Sequence, residues 1–379
     1  MKVLIAPDSF KGSLTAYEVA KSIEKGIKKY KQEIEVKLLP LADGGEGTVQ
    51  SLVDATDGQI IKKEVTGPLG DKVHAFYGLL GDQKTAVIEM ASASGLPLIP
   101  EGKQDPSKTT TYGTGELIKG ALSQEVDEII IGIGGSATTD AGVGMAQALG
   151  VSFLDQKGNE IGYGGRYLNK IEDIDMSGLN PKVKDVKIRV ACDVDNPLFG
   201  KSGAAYVYSP QKGADQKMVE KLDKNLRHFN QIVKNALNKD VSEIPGAGAA
   251  GGLGAGLMAF LDAKLEKGID IILDTVNFEK KLENVDLVIT GEGKLDGQSI
   301  YGKTPIGVSK RSKKHNKQVI AIAGSLGQGV EKVLDNGIDA YFSIIDKPDS
   351  LENIQKRSKK LLKNTAHQII RTYFLINKL

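Results

Sequence analysis

The sequence predicts an α/β protein: a discontinuous parallel-sheet domain built from both ends of the chain, interrupted by a second, mixed α/β domain. Three observations carry this. The 379 residues exceed the size at which one hydrophobic core usually stops growing, so two domains are expected. Short apolar, β-branched runs alternate with helical patterns at both ends, as in parallel strands joined by right-handed crossovers. In the middle, β-rich runs are separated by Gly-Pro and Gly-Asp turns, which favours antiparallel pairing. The expected boundaries are 1–62 and 275–379 for the discontinuous domain and 63–274 for the insert, placed where chain ends lie close together.

Residues 3–6 read as a buried strand. A helix follows from Thr15, with Glu18 three residues later completing a capping box. Residues 36–39 form a second strand, leading through Ala42-Asp43-Gly44-Gly45-Glu46-Gly47 to a helix from about Thr48. Residues 62–65, 74–80 and 85–89 are the antiparallel strands of the middle, and 128–131 opens a renewed αβ pattern. Residues 287–289, 319–323 and 341–344 are strands of the C-terminal third. The basic tail, 351–379, carries the apolar stripe of an amphipathic helix and is expected to pack on the sheet rather than on a membrane or nucleic acid.

Composition narrows the classes. Apolar content of 40% and charged content of 26% fit a soluble globular chain, and a net charge of +2 argues against a nucleic-acid binder built on a basic face. A single cysteine, Cys192, excludes an intramolecular disulfide, and the four histidines stand far apart, so zinc sites are not expected. The N-terminal apolar stretch is too short for a signal segment and no run is long enough to span a bilayer, so a cytoplasmic location is expected.

Polar, glycine-bearing loops recur at the expected strand ends, where open α/β sheets bind ligands. The richest is Thr290-Gly291-Glu292-Gly293-Lys294-Leu295-Asp296-Gly297-Gln298, read as a loop beyond a strand that ends near Thr290. Its glycines admit a ligand to the backbone, Lys294 can neutralise phosphate, and its acids can hold a metal or accept a proton. Pro7-Asp8-Ser9-Phe10-Lys11-Gly12-Ser13 precedes the first helix, whose amides together with Lys11 suit an anion. Residues 41–48 set Asp43 and Glu46 among three glycines. Ser92 and Ser94, in Met90-Ala91-Ser92-Ala93-Ser94-Gly95, offer hydroxyls of the kind that bind a polyol or carboxylate. Asp193 and Asp195 would share one face of extended chain, as magnesium ligands do. The run 245–254 suits either a phosphate cradle or close packing of helix on sheet.

Two segments carry competing readings. Residues 132–137 match G-x-G-x-x-A after a strand, and Asp155, 23 residues beyond Gly132, stands where a ribose-binding acid would. That keeps an NAD-dependent oxidoreductase as an alternative. The hydroxyls and carboxylate of Ser136-Ala137-Thr138-Thr139-Asp140 exceed what a dinucleotide turn needs. Residues 297–304 satisfy the P-loop expression G-x-x-x-x-G-K-T. A P-loop follows its strand at once, however, so the P-loop fold is set aside and Lys303 is kept as an anion ligand at the start of the helix following Pro305.

Taken in order, 7–13, 41–48, 134–140, Gly164-Gly165 with 174–179, 192–198, 246–254 and 290–303 with Pro305 resemble the type I glycerate kinase family over nearly the whole chain. Arg166 is a minor departure, standing where the family often continues a glycine run. The resemblance implies two domains, one Rossmann-like and discontinuous, with the site between them. It also implies ATP- and magnesium-dependent phosphorylation of D-glycerate, with the 2-hydroxyl favoured and the 3-hydroxyl as an alternative. A non-catalytic small-molecule binding protein is the third alternative. Phosphoryl transfer needs anion-binding backbone, lysines, metal-binding acids and a base. Asp43 is the expected base and Lys11 the expected catalytic cation, with Ser9, Ser92 and Ser94 on the substrate. Gly134, Gly135, Ser136, Gly248, Gly251, Gly252, Lys294 and Lys303 are expected on the nucleotide, and Asp193 and Asp195 on magnesium, with Asp296 the rival for base or metal ligand. No nucleic-acid or membrane partner is expected, and a homodimer is left open.

Overall fold

The apolar runs at the two ends of the chain build one parallel sheet in the computed structural model, which describes residues 1–376. With strands numbered along the chain, this sheet holds β1 (Lys2–Pro7), β2 (Glu35–Leu38), β11 (Leu287–Leu295), β12 (Gln318–Leu326) and β13 (Ala340–Ser343). Their order is β13-β12-β11-β1-β2, parallel throughout. On one face, Val19, Ile23 and Ile27 of the helix Ala16–Tyr30 and Leu362, Ala366 and Ile370 of the helix Leu351–Ile376 cover Val3, Ile5, Leu287 and Ile289. The last three residues of the expected tail helix lie outside the described residues. On the other face, Ile306 of the helix Thr304–Lys314 packs on Leu295, Ala321 and Ala323. The first helix begins as its sequence predicts: Thr15 accepts the Glu18 amide, and the Glu18 carboxylate accepts the Thr15 amide. The chain leaves β1 towards β2 on one side and leaves β11 towards β12 on the other. β1 and β11 therefore flank a topological switch point, whose carboxyl end is a ligand crevice in open α/β sheets.

β11 corrects the loop reading of 290–298. It runs in register with β12 as far as Leu295 opposite Leu326. The glycines serve strand contact: a Cβ on Gly291 would stand 2.0 Å from the Ile322 carbonyl oxygen, and one on Gly324 would stand 2.4 Å from that of Gly293. Glu292 and Lys294 are thus strand residues.

The other unit, Gly44–Val49 with Gly58–Gly268, has its own mixed sheet, and the rest of the chain makes up the first unit. It takes in all of β3, which a boundary at 62 would cut, and closes at 268 rather than 274. β3 (Gln59–Thr66), β4 (Lys72–Leu79) and β5 (Thr85–Glu89) pair antiparallel, as their turns predict. β5, β6 (Glu128–Gly132), β9 (Lys187–Ala191) and β10 (Lys264–Glu266) run parallel, giving the order β10-β9-β6-β5-β4-β3. β7 (Ser152–Leu154) and β8 (Asp173–Asp175) form a separate antiparallel ribbon. Ile88, Ile129, Ile131 and Val190 join Leu117, Leu226, Phe229 and Leu253 in one core.

Candidate functional site

In the first unit the acids gather at the switch point. Asp8 follows β1, Asp43 follows β2 and Glu292 lies in β11. Asp8 accepts the Thr304 hydroxyl at 2.7 Å and the Ser9 amide at 2.6 Å. Burial, followed by the negative charge of Asp43, pushes its carboxyl up to about 6. Glu292 is buried, accepts the Ser299 hydroxyl at 2.6 Å and pairs with Lys303 at 3.5 Å. Its carboxyl is pushed up to about 7 by burial, with Ser299 and Lys303 opposing and Asp8 adding. Carboxyls with proton affinity near neutrality suit acid–base work.

The same shifts predict a pH dependence of stability. Asp8 and Glu292 bind protons more tightly in the folded chain than at their ordinary values of 3.8 and 4.5. Their stabilising contribution is therefore complete below about pH 4 and is lost as pH rises through about 6 and 7. The Asp8→Asn, Glu292→Gln double variant should lose less melting temperature than wild type between those limits. Parallel profiles in thermal melts at stepped pH would contradict it.

Lys11 is exposed, at the tip of a tight turn closed by the Phe10 and Leu14 backbones. The helix starts only at Ala16 behind its own capping box, so the expected placement of Lys11 on helix amides is wrong. Lys294 is exposed and pairs with Asp296 at 2.9 Å. That pairing, more than any other contact, holds the Asp296 carboxyl below its ordinary value, and Asp296 also accepts the Gln298 amide at 2.9 Å. Asp296 therefore serves the turn after β11 and is a poor rival as base or metal ligand.

The ground for setting aside a P-loop also changes, because β11 reaches almost to Gly297. The amides of Gly297, Gln298, Ser299 and Tyr301 donate to Gln328, Asp296, Asp296 and Gln298, so the first half of the stretch is closed on itself.

In the second unit three loops converge at the carboxyl ends of β6 and β9. A Cβ on Gly44 would meet that of Ala191 at 2.6 Å, and one on Gly132 would meet the Gly44 carbonyl oxygen at 2.6 Å. Glu89, which sequence reasoning missed, ties the first of these loops by accepting the Val49 amide at 2.8 Å. Gly134 and Gly135 are exposed, with Gly135 left-handed at φ +73°. Among the described residues, the amides of Gly134, Gly135 and Ser136 donate to no protein acceptor. Successive free amides around a left-handed residue form an anion-binding nest. Beneath them lies Lys212, also missed: 2% exposed, it donates to the Ser136 hydroxyl oxygen at 2.8 Å and the Thr138 carbonyl at 2.7 Å. Burial lowers its ammonium to about 7, partly offset by the charge of Asp140. Asp140 is itself buried, accepting the Thr111 amide and hydroxyl, each at 2.8 Å.

Several expected ligands have structural work instead. Ser92 donates its hydroxyl to the Glu89 and Phe76 carbonyls, and Ser94, fully buried, accepts from Thr114 at 2.9 Å, which removes both from the candidate substrate site. Gly248 and Gly252 spend their amides on the carbonyls of Asn196 and Gly248. A Cβ on Gly251 would stand 1.9 Å from the Thr138 carbonyl oxygen. The glycine run is thus the close-packing alternative, not a phosphate cradle. The dinucleotide reading fails on topology. Asp155 follows β7 in the separate ribbon, whereas the neighbours of β6 are β5 and β9.

Asp193 and Asp195 are exposed just beyond β9, and Asp193 accepts the Gly268 amide at 3.0 Å. The Cys192 thiol is raised chiefly by burial, with the Val194 backbone opposing and the charges of Asp193 and Asp195 adding. Among the described residues no three His, Cys, Asp or Glu side chains gather as a metal cage. Magnesium needs none: it takes one or two carboxylates and completes its shell with phosphate oxygens and water. The pair fits that donor set. No helix among the described residues is long and apolar enough to cross a membrane.

Comparison with known proteins identifies the family. The sequence model of the glycerate kinase family matches residues 3–374. The chain is 54% identical to a glycerate kinase of Halalkalibacterium halodurans over 367 residues, 97% of each chain. It is 54% identical to the glycerate 2-kinase of Escherichia coli over 352 residues, covering 93% of this chain and 92% of the relative. The crystal structure of a Salmonella typhimurium LT2 protein described as a candidate glycerate kinase 2 superposes with a TM-score of 0.93 at 50% identity, covering all of both chains.

Proposed function

The chain belongs to the glycerate kinase family, and we propose that it transfers the γ-phosphoryl group of ATP to the 2-hydroxyl of D-glycerate. The observation that carries the reading is the acid cluster at the switch point of the parallel sheet, where the charge of Asp43 raises Asp8, that of Asp8 raises Glu292, and Glu292 pairs with Lys303. Phosphoryl transfer demands a proton acceptor and fixed cations there, not covalent catalysis. Asp43 is half-buried and accepts the glycerate hydroxyl proton, while Asp8, with both oxygens already engaged, orients the strand end. Lys11 and Lys303 hold anionic groups of the substrates, and the nest at 134–136 holds a further oxyanion. Magnesium on Asp193 and Asp195 would neutralise phosphate charge. The 2-hydroxyl is favoured by 54% identity to a relative named for that position.

A coupled assay should show ADP release that requires both D-glycerate and magnesium, and phosphorus NMR should identify the product as the 2-phosphate. Nicotinamide reduction without ATP would sink the proposal, and a 3-phosphate product would move the acceptor position. Lys11→Ala should reduce kcat/KM about ten- to hundredfold, the value of one charge-assisted hydrogen bond, and should leave the melting temperature unchanged because the side chain is exposed. Near-normal kinetics would make Lys11 a surface charge.

A further inference from the structure

We propose that Lys212 is a positioning residue for the reaction: its buried ammonium holds the 134–136 turn in the conformation that binds a substrate oxyanion. The inference rests on the reading of that turn as a ligand site. The oxyanion is a phosphate of the nucleotide or the carboxylate of the acid substrate, groups that share the same chemistry.

Burying a lysine is costly unless its donors are used, and here they are spent on one short segment. One goes to the Ser136 hydroxyl oxygen at 2.8 Å and one to the Thr138 carbonyl at 2.7 Å. Both acceptors lie in the stretch that carries the free amides of Gly134, Gly135 and Ser136. Two glycines in sequence make this turn intrinsically loose, since glycine populates left- and right-handed φ about equally. Protein contact confines it in part: a Cβ on Gly135 would stand 3.3 Å from that of Ala91, and the Ala137 amide donates to the Ser94 carbonyl. A Cβ on Gly134 would find its nearest neighbour 3.8 Å away, and both glycines are exposed. The turn is anchored by Leu96, whose amide donates to the Gly135 carbonyl, and by Lys212 from below. Lys212 also brings its buried amine under this turn, and the charge of Asp140, a carboxylate bonded to four donors, favours its protonated form.

The test uses the full chain, with Lys212→Met as the apolar isostere and Lys212→Gln keeping one donor without charge. The kcat and both KM values are measured, with melting temperatures as the fold control. In parallel, the Gly134 and Gly135 amide shifts of wild type are followed by 15N NMR on adding D-glycerate or a non-hydrolysable ATP analogue. The expected result is a Lys212→Met enzyme that remains folded, keeps kcat within about threefold, and shows KM for one substrate raised about ten- to hundredfold. The substrate affected identifies the oxyanion: ATP for a phosphate, glycerate for the carboxylate. Lys212→Gln should fall between the two, and if Lys212→Met does not fold, the same tenfold criterion is read on Lys212→Gln. Wild-type KM values for both substrates, with Gly134 and Gly135 amides that do shift, would overturn the role of Lys212 while leaving the turn as a site. Amides that move with neither ligand would overturn the site itself, and the proposal with it.

Discussion

Asp43→Asn should lower kcat by about 10²- to 10⁴-fold, or roughly 2.7–5.5 kcal/mol of transition-state stabilisation, and leave the magnesium requirement nearly unchanged. Asparagine keeps the size of the side chain and removes its capacity to take a proton, so the loss should fall on turnover. The change has a second signature. The charge of Asp43 is one of the two causes that raise Asp8, so its removal should let Asp8 titrate lower and shift the acid limb of the pH–rate profile downward. Asp193→Asn should fail differently: its apparent magnesium affinity falls, and added metal recovers part of the activity, because a ligand has been weakened rather than a base removed. Titration of initial rates against magnesium for both variants separates the roles. If Asp43→Asn shifts the magnesium requirement and Asp193→Asn does not, the two assignments are reversed.

Strands β1 to β6 and β11 to β13 and the first helix were legible because their signals are local. An apolar run marks β1, β-rich runs between glycine-bearing turns mark β3, β4 and β5, and the Thr15/Glu18 capping box is complete within four residues. What local signals could not carry is the partner of each polar group. Glycine, lysine and acid content made 290–298 look like a loop, yet β11 continues because β12 is there to pair with it and the glycines let the two backbones meet. Ser94 looked like a free hydroxyl until Thr114, 20 residues away, was seen to donate to it. Lys212 had no mark of its own among so many lysines, since its partners lie 76 and 74 residues earlier. The acids of the first unit were found as individuals. Their coupling depends on β1, β2 and β11 lying side by side, which is a property of the strand order.

The glycine run at 245–254 left two readings open in the sequence, and the packing of Gly251 makes their difference measurable. Gly251→Ala should destabilise the chain by roughly 2–5 kcal/mol. Two costs add. At φ +71° an L side chain pays about 1–2 kcal/mol for the left-handed backbone. The new methyl would also stand 1.9 Å from the Thr138 carbonyl oxygen and 2.7 Å from the Thr139 Cα, backbone atoms that cannot rotate aside. Relieving such overpacking costs typically about 1–3 kcal/mol. Gly70→Ala separates the two, because Gly70 has φ +91° and nothing within 4 Å of its would-be Cβ, so it carries the backbone cost alone. For a unit of this size each kcal/mol is worth about 2–4 °C, so Gly251→Ala should melt roughly 4–20 °C below wild type and clearly below Gly70→Ala. The displaced atom is also the carbonyl that Lys212 holds, so a shift of Thr138 should loosen the 134–136 turn and raise a substrate KM in the surviving folded enzyme. Equal melting temperatures for the two alanine variants would mean that the run has room around it, and the phosphate-cradle reading of Gly251 would return.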